Sequence, residues 1–262
     1  MPTQILDPVF LAAAIPAVLL AGISKGGFGA GAGFAATPLL VLVVPPQVAV
    51  GLMLPLLMVM DLTGLRAWRG RWNLAEARPM MLGAVPGIAA GAVFFAAVPA
   101  DAVRLLIGAI ALGFIAFQLA QARGWGPRPT EPGARRRPAP LRGGVWGGVA
   151  GFTSFASHAG GPPAAVHLLT RGLSKGEYQA TTVILFWWIN VVKLGPYWAV
   201  GLFAEGQIAA ALWLAPVAVA GMLLGVWAHD KVPQHLYFAL IRVMLAITGT
   251  KLVSDGATGL FG

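Results

Sequence analysis

The sequence predicts an all-α integral membrane protein, a polytopic helical bundle built from two inverted-topology repeats, each starting with a glycine-broken helix pair. Hydrophobic residues make up 58% of the 262-residue chain and charged residues only 10%, whereas about a quarter of a soluble domain is charged. Uncharged runs of about twenty residues recur along the chain, and each could cross about 30 Å of hydrocarbon as a helix. The third observation is that the two halves of the chain resemble each other.

The two halves align at a nearly constant offset. The aligned pairs are Gly22 with Gly151, Gly31 with Gly160, Leu39 with Leu168 and, after a small insertion, Gly87 with Gly221, Gly91 with Gly225 and Pro99 with Pro233. In each half a glycine-rich stretch, 22–31 or 151–163, interrupts the first apolar segment. Glycine-broken membrane segments at corresponding positions of two halves indicate the binding site of a transporter.

Five apolar segments are predicted in each half. They cover roughly residues 5–23, 34–44, 47–66, 78–98 and 102–121, and then roughly 143–156, 161–170, 178–203, 206–228 and 234–254. Residues 1–123 would form the first transmembrane repeat, 124–142 a basic, proline-rich cytoplasmic linker, and 143–262 the second repeat. The second segment of each half is too short to span unaided. Two geometries fit the first two segments of each half: a re-entrant hairpin with the glycines at its tip, or two tilted spans.

The loop charges predict the orientation. Arginines crowd the loop 66–78 and the linker 124–142, which should therefore face the cytoplasm. Loops around Pro45, Pro99 and Glu205 carry almost no basic charge and should face out. Equivalent spans then run in opposite directions, so the repeats are inverted and both termini lie outside. Because the basic residues lie in these loops and set the orientation, the net charge of +9 does not indicate a nucleic-acid partner.

The two breaks supply most of the candidate substrate-binding residues. Backbone outside a helix is costly in hydrocarbon unless it faces protein, water or a ligand. A helix restarting at Gly33 or at Pro162 would direct its free N–H groups toward an anion. The alternative is that the glycines only allow tight helix packing. The candidates are Ser24, Lys25, Gly26, Gly27 and Gly29 in the first break, and Thr153, Ser154, Ser157, His158 and Gly160 in the second.

Ionisable residues inside predicted spans add further candidates, because charge at membrane depth is costly and usually functional. Lys193 lies near the middle of 178–203 with Asn190 one turn away, and Asp61 aligns within a residue of Lys193. Asp61 and Lys193 could form an ion bridge between the halves, a proton or cation handle for coupling, or part of the anion site. Arg242 could join the site or snorkel to the interface.

The sequence gives little support for a metal site, a cofactor site or an enzyme active site. The chain has no cysteine, and its histidines lack a metal-ligand arrangement, so neither a metal nor a cofactor is predicted. No nucleophile motif and no GxxxxGK[ST] phosphate-binding loop occurs. His229 and Asp230 begin a short cytoplasmic loop and are expected to be solvated.

Three short motifs resemble the TauE/SafE sulfite-exporter family of bacterial membrane proteins. They are Gly22-Ile23-Ser24-Lys25-Gly26-Gly27-Phe28-Gly29, Thr37-Pro38-Leu39-Leu40 and Ala49-Val50-Gly51. The second glycine-rich copy and the basic linker are also similar to that family. The resemblance implies transport of sulfite, sulfonates or related anions across the bacterial inner membrane, with some members linked to small carboxylates. It further implies that 24–31 and 153–161 form the two halves of the binding region.

The sequence therefore predicts a secondary transporter, an exporter of sulfite or an organosulfonate, that works by alternating access. Three alternatives remain open: an uptake permease for small carboxylates such as lactate, a passive channel, and an intramembrane enzyme using His158 or Asp61 as acid–base group. The expected partners are the small anion and the lipid bilayer, and homo-oligomer formation is left open.

The predicted orientation can be tested with single cysteines, because the chain has none of its own. We expect Glu131→Cys, in the linker, to be protected from a membrane-impermeant maleimide in intact cells, because the linker faces the cytoplasm. Thr258→Cys, near the C-terminus, should be labelled. Labelling of Glu131→Cys with protection of Thr258→Cys would reverse the assignment.

Overall fold

The structure, a computed structural model, describes residues 7–28, 33–125, 130–134, 139–203, 206–229, 231 and 234–262, with the backbone alone described at 234–238. Secondary structure within these ranges is entirely helical. The helices are α1 (Pro8–Ile23), α2 (Ala36–Val41), α3 (Pro46–Ala67), α4 (Leu74–Ala97), α5 (Ala100–Ala122), α6 (Pro140–Ser157), α7 (Gly161–Leu168), α8 (Lys175–Ala199), α9 (Gln207–Ala228) and α10 (Gln234–Phe261). A π-helical turn, Ser24–Phe28, follows α1, and 3₁₀ turns at Gly33–Ala35 and Leu169–Arg171 flank α2 and α7.

Local sequence signals explain where these helices begin. The Asp7 side chain accepts a hydrogen bond from the backbone of Val9 at 3.0 Å and caps α1. Ser174 and Glu177 form a reciprocal capping box at the start of α8. Proline in the first turn, where its missing N–H is not needed, opens α3 and α6.

The predicted segments correspond to these helices, but the breaks are narrower than predicted. The chain does not leave helical geometry at Gly22, because α1 continues into the π-helical turn. Likewise α6 contains Gly151 and ends only at Ser157. It also begins at Pro140, inside the predicted linker. Gly22, Gly26, Gly27 and Gly151 therefore lie within helical turns, whereas Gly160 lies between α6 and α7.

Five helices in the described part of the chain are long and apolar enough to cross a membrane. They are Pro8–Phe28, Pro46–Ala67, Leu74–Ala97, Ala100–Ala122 and Gln207–Ala228. Two further helices, α8 and α10, have 25 and 28 residues, which exceeds the roughly 20 residues that a span needs. Both carry ionisable residues along their length; in α8 these include Lys175 at its first position and Lys193 in its interior.

The helices pack in pairs that join the N-terminal five to the C-terminal five. Helix α1 lies against α9, and α4 lies against α6. Helix α3 contacts both α9 and α8, and α8 also contacts α4. Helices α5 and α10 pack on each other. The α3–α8 contact occupies the middle of the bundle, since most of the buried residues of α3 belong to the main hydrophobic core.

Glycines bring the paired helices into backbone contact. A methyl group at Gly27 would lie 2.0 Å from the carbonyl oxygen of Gly225, on α9. A methyl group at Gly83 would lie 2.0 Å from the carbonyl oxygen of Gly144, which joins α4 to α6. Close approach of this kind replaces the hydrophobic driving force that is missing between helices in lipid. Tight packing, the alternative reading of the glycine-rich segments, is therefore a real part of their role.

Replacement of Gly83 by alanine should destabilise the protein, because its methyl group has no room against the α6 backbone. We expect a loss of about 1–3 kcal/mol, typical of overpacking, seen as a lower thermal unfolding midpoint in detergent. Gly113→Ala is the matched control, since nothing lies within 4 Å of a methyl group there. An unchanged midpoint in Gly83→Ala would contradict the packing described.

Candidate functional site

The first break presents Lys25 to the centre of the bundle. The π-helical turn Ser24–Phe28 is buried throughout. Three of its carbonyl groups accept hydrogen bonds from side chains that belong to other parts of the chain. Gln179 of α8 donates to Lys25 O at 2.5 Å, Trp68 to Gly26 O at 3.3 Å and His229 to Gly27 O at 2.5 Å. These donors fix the turn and leave the Lys25 side chain directed at α3.

The second break turns at His158. This residue has φ 56° and ψ 19°, and it is the one non-glycine residue with positive φ in the described part of the chain. A left-handed conformation costs an ordinary residue about 1–2 kcal/mol. Here it lets His158 reach across to α3, where its Nε2–H donates to the carbonyl oxygen of Val50 at 3.0 Å. Helix α7 begins three residues later, at Gly161.

A buried ion pair joins the first break to α3. Lys25 Nζ lies 2.5 Å from Asp61 Oδ1, and Lys25 and Asp61 are 8% and 0% exposed. The second carboxylate oxygen of Asp61 accepts a hydrogen bond of 2.7 Å from Asn190 on α8. Asp61 is therefore linked to α8 through Asn190. Its ionic partner is Lys25, and an ion bridge to Lys193, one of the three predicted roles, is not formed.

A second buried cation lies at the other break. Lys193 Nζ donates to Ser154 O and Ser154 Oγ, both at 3.1 Å, and lies 2.9 Å from His158 Nδ1. The three contacts use the three N–H bonds of an ammonium group. Because Val50 O can only accept, His158 Nε2 carries a hydrogen. A neutral His158 then accepts from Lys193 through Nδ1.

One small cavity lies between the two breaks, lined by Lys25 on one side and by Ser154 and His158, the contacts of Lys193, on the other. It has a volume of about 30 Å³, and its polar lining consists of Lys25, Ser154, His158 and Asn190. Its apolar lining consists of Ala21, Phe34, Leu57 and Phe186. The cavity thus combines side chains of both breaks with α3 and α8, and no first-turn residue of α7 lines it. The N-terminus of α7 at Pro162, where an anion contact is expected from the sequence, therefore does not border this cavity.

The other predicted site residues lie around this centre without lining the cavity. Thr153 and Ser157 donate their hydroxyl hydrogens to carbonyl groups of their own helix, at Val149 and Thr153. Gly26, Gly27 and Gly160 are closely packed against neighbouring atoms, and Ser24 is fully buried. Arg242 contacts Gln118 of α5 at 3.3 Å. Gly29 falls outside the described residues.

Several supporting residues carry no distinctive signal in the sequence. Phe34, Leu57 and Phe186 look like ordinary core residues, and only the folded chain places them at the cavity. The expectation that His229 is solvated is wrong, because it is buried at 6% exposure and caps the π-helical turn. A polar side chain at the end of an apolar helix does not indicate which carbonyl group it will meet.

A separate cluster of charges joins α4 to the segment after α7. Glu76, in the first turn of α4, contacts His167 Nε2 at 3.1 Å and Arg171 Nε at 2.9 Å. Close by, the backbone of Asn73 donates to Thr181 of α8 at 2.9 Å. The cluster connects helices from the two halves of the chain near the loops that the sequence predicts to be cytoplasmic. Among the described residues, no group of three or more potential ligands could hold a metal ion.

Comparison with known proteins gives one match. The family model for the sulfite exporter TauE/SafE matches residues 14–252, which is nearly the whole chain and includes every residue that lines the cavity. No curated protein and no solved structure matches the chain significantly.

The Lys25–Asp61 pair can be tested by a double-mutant cycle. Lys25→Met should destabilise the protein by about 3–5 kcal/mol, because it leaves a buried carboxylate without a counter-charge. Addition of Asp61→Asn should recover most of that loss, as measured by denaturant unfolding in detergent. Lys251→Met is the control, since it breaks the exposed Lys251–Asp255 pair and should cost about 1 kcal/mol or less. Additive losses in the double variant would show that the pair is not coupled.

Proposed function

Because the chain belongs to the TauE/SafE sulfite exporter family, we propose that it is a secondary transporter that exports sulfite or an organosulfonate across the bacterial inner membrane. Its apolar helices and its family make it a multi-pass membrane protein. The observation that carries the proposal is the buried cavity lined by Lys25, Ser154, His158 and Asn190. Buried cations around a cavity suit an anionic guest, since intramembrane charge requires a partner.

The hydrogen-bond pattern identifies the donors that would meet the substrate. Lys25 uses one N–H for Asp61 and one for Leu57 O, at 3.4 Å, so its third N–H is available to the cavity. The Ser154 hydroxyl oxygen accepts from Lys193 and keeps its own hydrogen to donate. Asn190 uses one amide hydrogen for Asp61 and retains the other. Three converging donors of this kind match the oxygens of a sulfite or sulfonate group.

Inverted repeats of residues 1–123 and 143–262 are part of the proposal, with residues 124–142 as the linker. The helix contacts support it, because they occur in equivalent pairs. If α1 corresponds to α6 and α4 to α9, the α1–α9 contact corresponds to α6–α4, and α3–α9 corresponds to α8–α4. A two-fold relation between repeats would produce both contacts of each pair.

The break residues support the same correspondence. At the offset of the sequence alignment, Lys25 is equivalent to Ser154. Lys25 binds a charged residue of α3, and Ser154 binds a charged residue of α8. The next carbonyl group along the chain accepts from an aromatic side chain in both cases, Gly26 O from Trp68 and Phe155 O from Tyr197 at 2.8 Å.

Alternating access would open the cavity first to one side and then to the other. The contacts of Glu76 with His167 and Arg171 join the repeats on the proposed cytoplasmic side, so they would break when the cavity opens inward. Since α1 packs on α9 and α4 packs on α6, the moving units would each contain helices from both repeats.

Asp61 is the proposed coupling residue, because its carboxylate contacts both the substrate-facing Lys25 and Asn190. Protonation of Asp61 would release Lys25 and change the charge of the site. The contacts of His158 favour transport over acid–base catalysis. One of its ring nitrogens is hydrogen-bonded to the carbonyl oxygen of Val50 and the other to Lys193.

Transport can be measured with purified protein in liposomes loaded with sulfite. Wild-type protein should release sulfite with saturation, and Ser154→Ala should raise the half-saturating concentration by about tenfold to a hundredfold, since a charge-assisted hydrogen bond contributes about 1.5–3 kcal/mol. Ser254→Ala, on the exposed face of α10, is the matched control and should behave as wild type. Release that is absent, or that Ser154→Ala leaves unchanged, would argue against the proposed site.

A further inference from the structure

The charges at and next to the cavity do not balance. Lys25, which lines the cavity, and Asp61 neutralise each other as an ion pair at 2.5 Å. Among the described residues Lys193 has no carboxylate partner, and its three contacts are Ser154 O, Ser154 Oγ and His158 Nδ1. An ammonium group at Lys193 satisfies all three contacts by donation, and beside a neutral His158 it gives the pair a single positive charge.

The imbalance is confined to this cluster. Among the described residues, the ionisable side chains in contact here are Lys25 with Asp61, and Lys193 with His158. The other charged cluster, around Glu76, is internally paired and does not line the cavity. With Lys193 as an ammonium group, this cluster of described residues therefore has a net charge of one positive unit.

We propose that this cavity selects anions of a single negative charge, so that organosulfonates are preferred over sulfate and sulfite is carried as hydrogensulfite. The inference rests on the proposed function and adds the valence of the substrate to it. A monoanion cancels the charge of the Lys193–His158 pair. A dianion would leave one negative charge uncompensated in a buried site, which is strongly unfavourable.

The donors in the cavity favour the same guest. Lys25, Ser154 and Asn190 each have one N–H or O–H to offer, which suits the three oxygens of a sulfonate group. The remaining lining is apolar, with Phe34 and Phe186 at the cavity. An alkyl substituent or a protonated oxygen can contact such a surface, whereas a fourth charged oxygen would lose its hydration there.

Binding of methanesulfonate and sulfate at pH 8 tests the proposal, because the two ions are similar in shape and have fixed charges of −1 and −2. Isothermal calorimetry on wild-type protein in detergent should give at least about tenfold tighter binding of methanesulfonate, or 1.4 kcal/mol. Asp61→Asn removes a negative charge, so the site gains a second positive unit and the preference should reverse toward sulfate. Asp101→Asn, at the Asp101–Arg104 pair of α5, is the matched control and should keep the wild-type ratio.

A second variant covers the case in which Asp61→Asn does not fold. Asn190→Asp adds a negative charge at nearly constant volume. It should weaken the binding of both ions, and that of sulfate more than that of methanesulfonate. Equal or tighter binding of sulfate by wild-type protein would overturn the charge rule, and so would an unchanged ratio in the folded variants.

Lactate and malonate, with charges of −1 and −2 at this pH, separate the charge rule from the identity of the substrate. If neither sulfur anion binds but lactate binds more tightly than malonate, the charge rule holds and the sulfur assignment of the proposed function is wrong. If none of the four anions binds, both the proposed function and this inference are overturned.

Discussion

An ionised side chain at the depth of a bilayer needs an opposite charge or a full set of hydrogen-bond partners, and this requirement organises the centre of the protein. Lys25 meets it with Asp61, whereas Lys193 meets it with hydrogen-bond acceptors alone. The left-handed turn at His158 follows from the same need, because only a ring in that position can accept from Lys193 while donating to α3. The arrangement of both breaks thus depends on two lysines.

The glycine contacts hold together the helices that surround this centre. Without a hydrophobic driving force between helices in lipid, backbone contact must hold the bundle together. At Gly27 the same residue packs on α9 and offers its carbonyl group to His229. The packing surface and the turn that presents Lys25 are therefore made by the same few residues, and neither role excludes the other.

Much of this arrangement could be predicted from the sequence, because charge is conspicuous in an apolar chain. Lys25, Asp61 and Lys193 were identifiable for that reason, and helix boundaries followed from proline and loop charge. The pairing was not predictable: Asp61 meets Lys25 because of the rotation of α3, and a helix that is apolar on every side gives no period from which to read that rotation. The π-helical turn was also hidden, since it depends on donors such as Gln179, 154 positions away.

The pairing of α1 with α9 has a consequence for biogenesis. Helix α1 is synthesised before α9, yet the glycine surface on which it packs belongs to that later helix. Its lysine, by contrast, finds a carboxylate only 36 positions later in the chain. During synthesis, which proceeds from the N-terminus, α1 can enter the bilayer with its charge already compensated by α3 and wait there with an unoccupied packing face. Insertion and final assembly of the first helix are thereby separated in time by nearly the whole length of the chain.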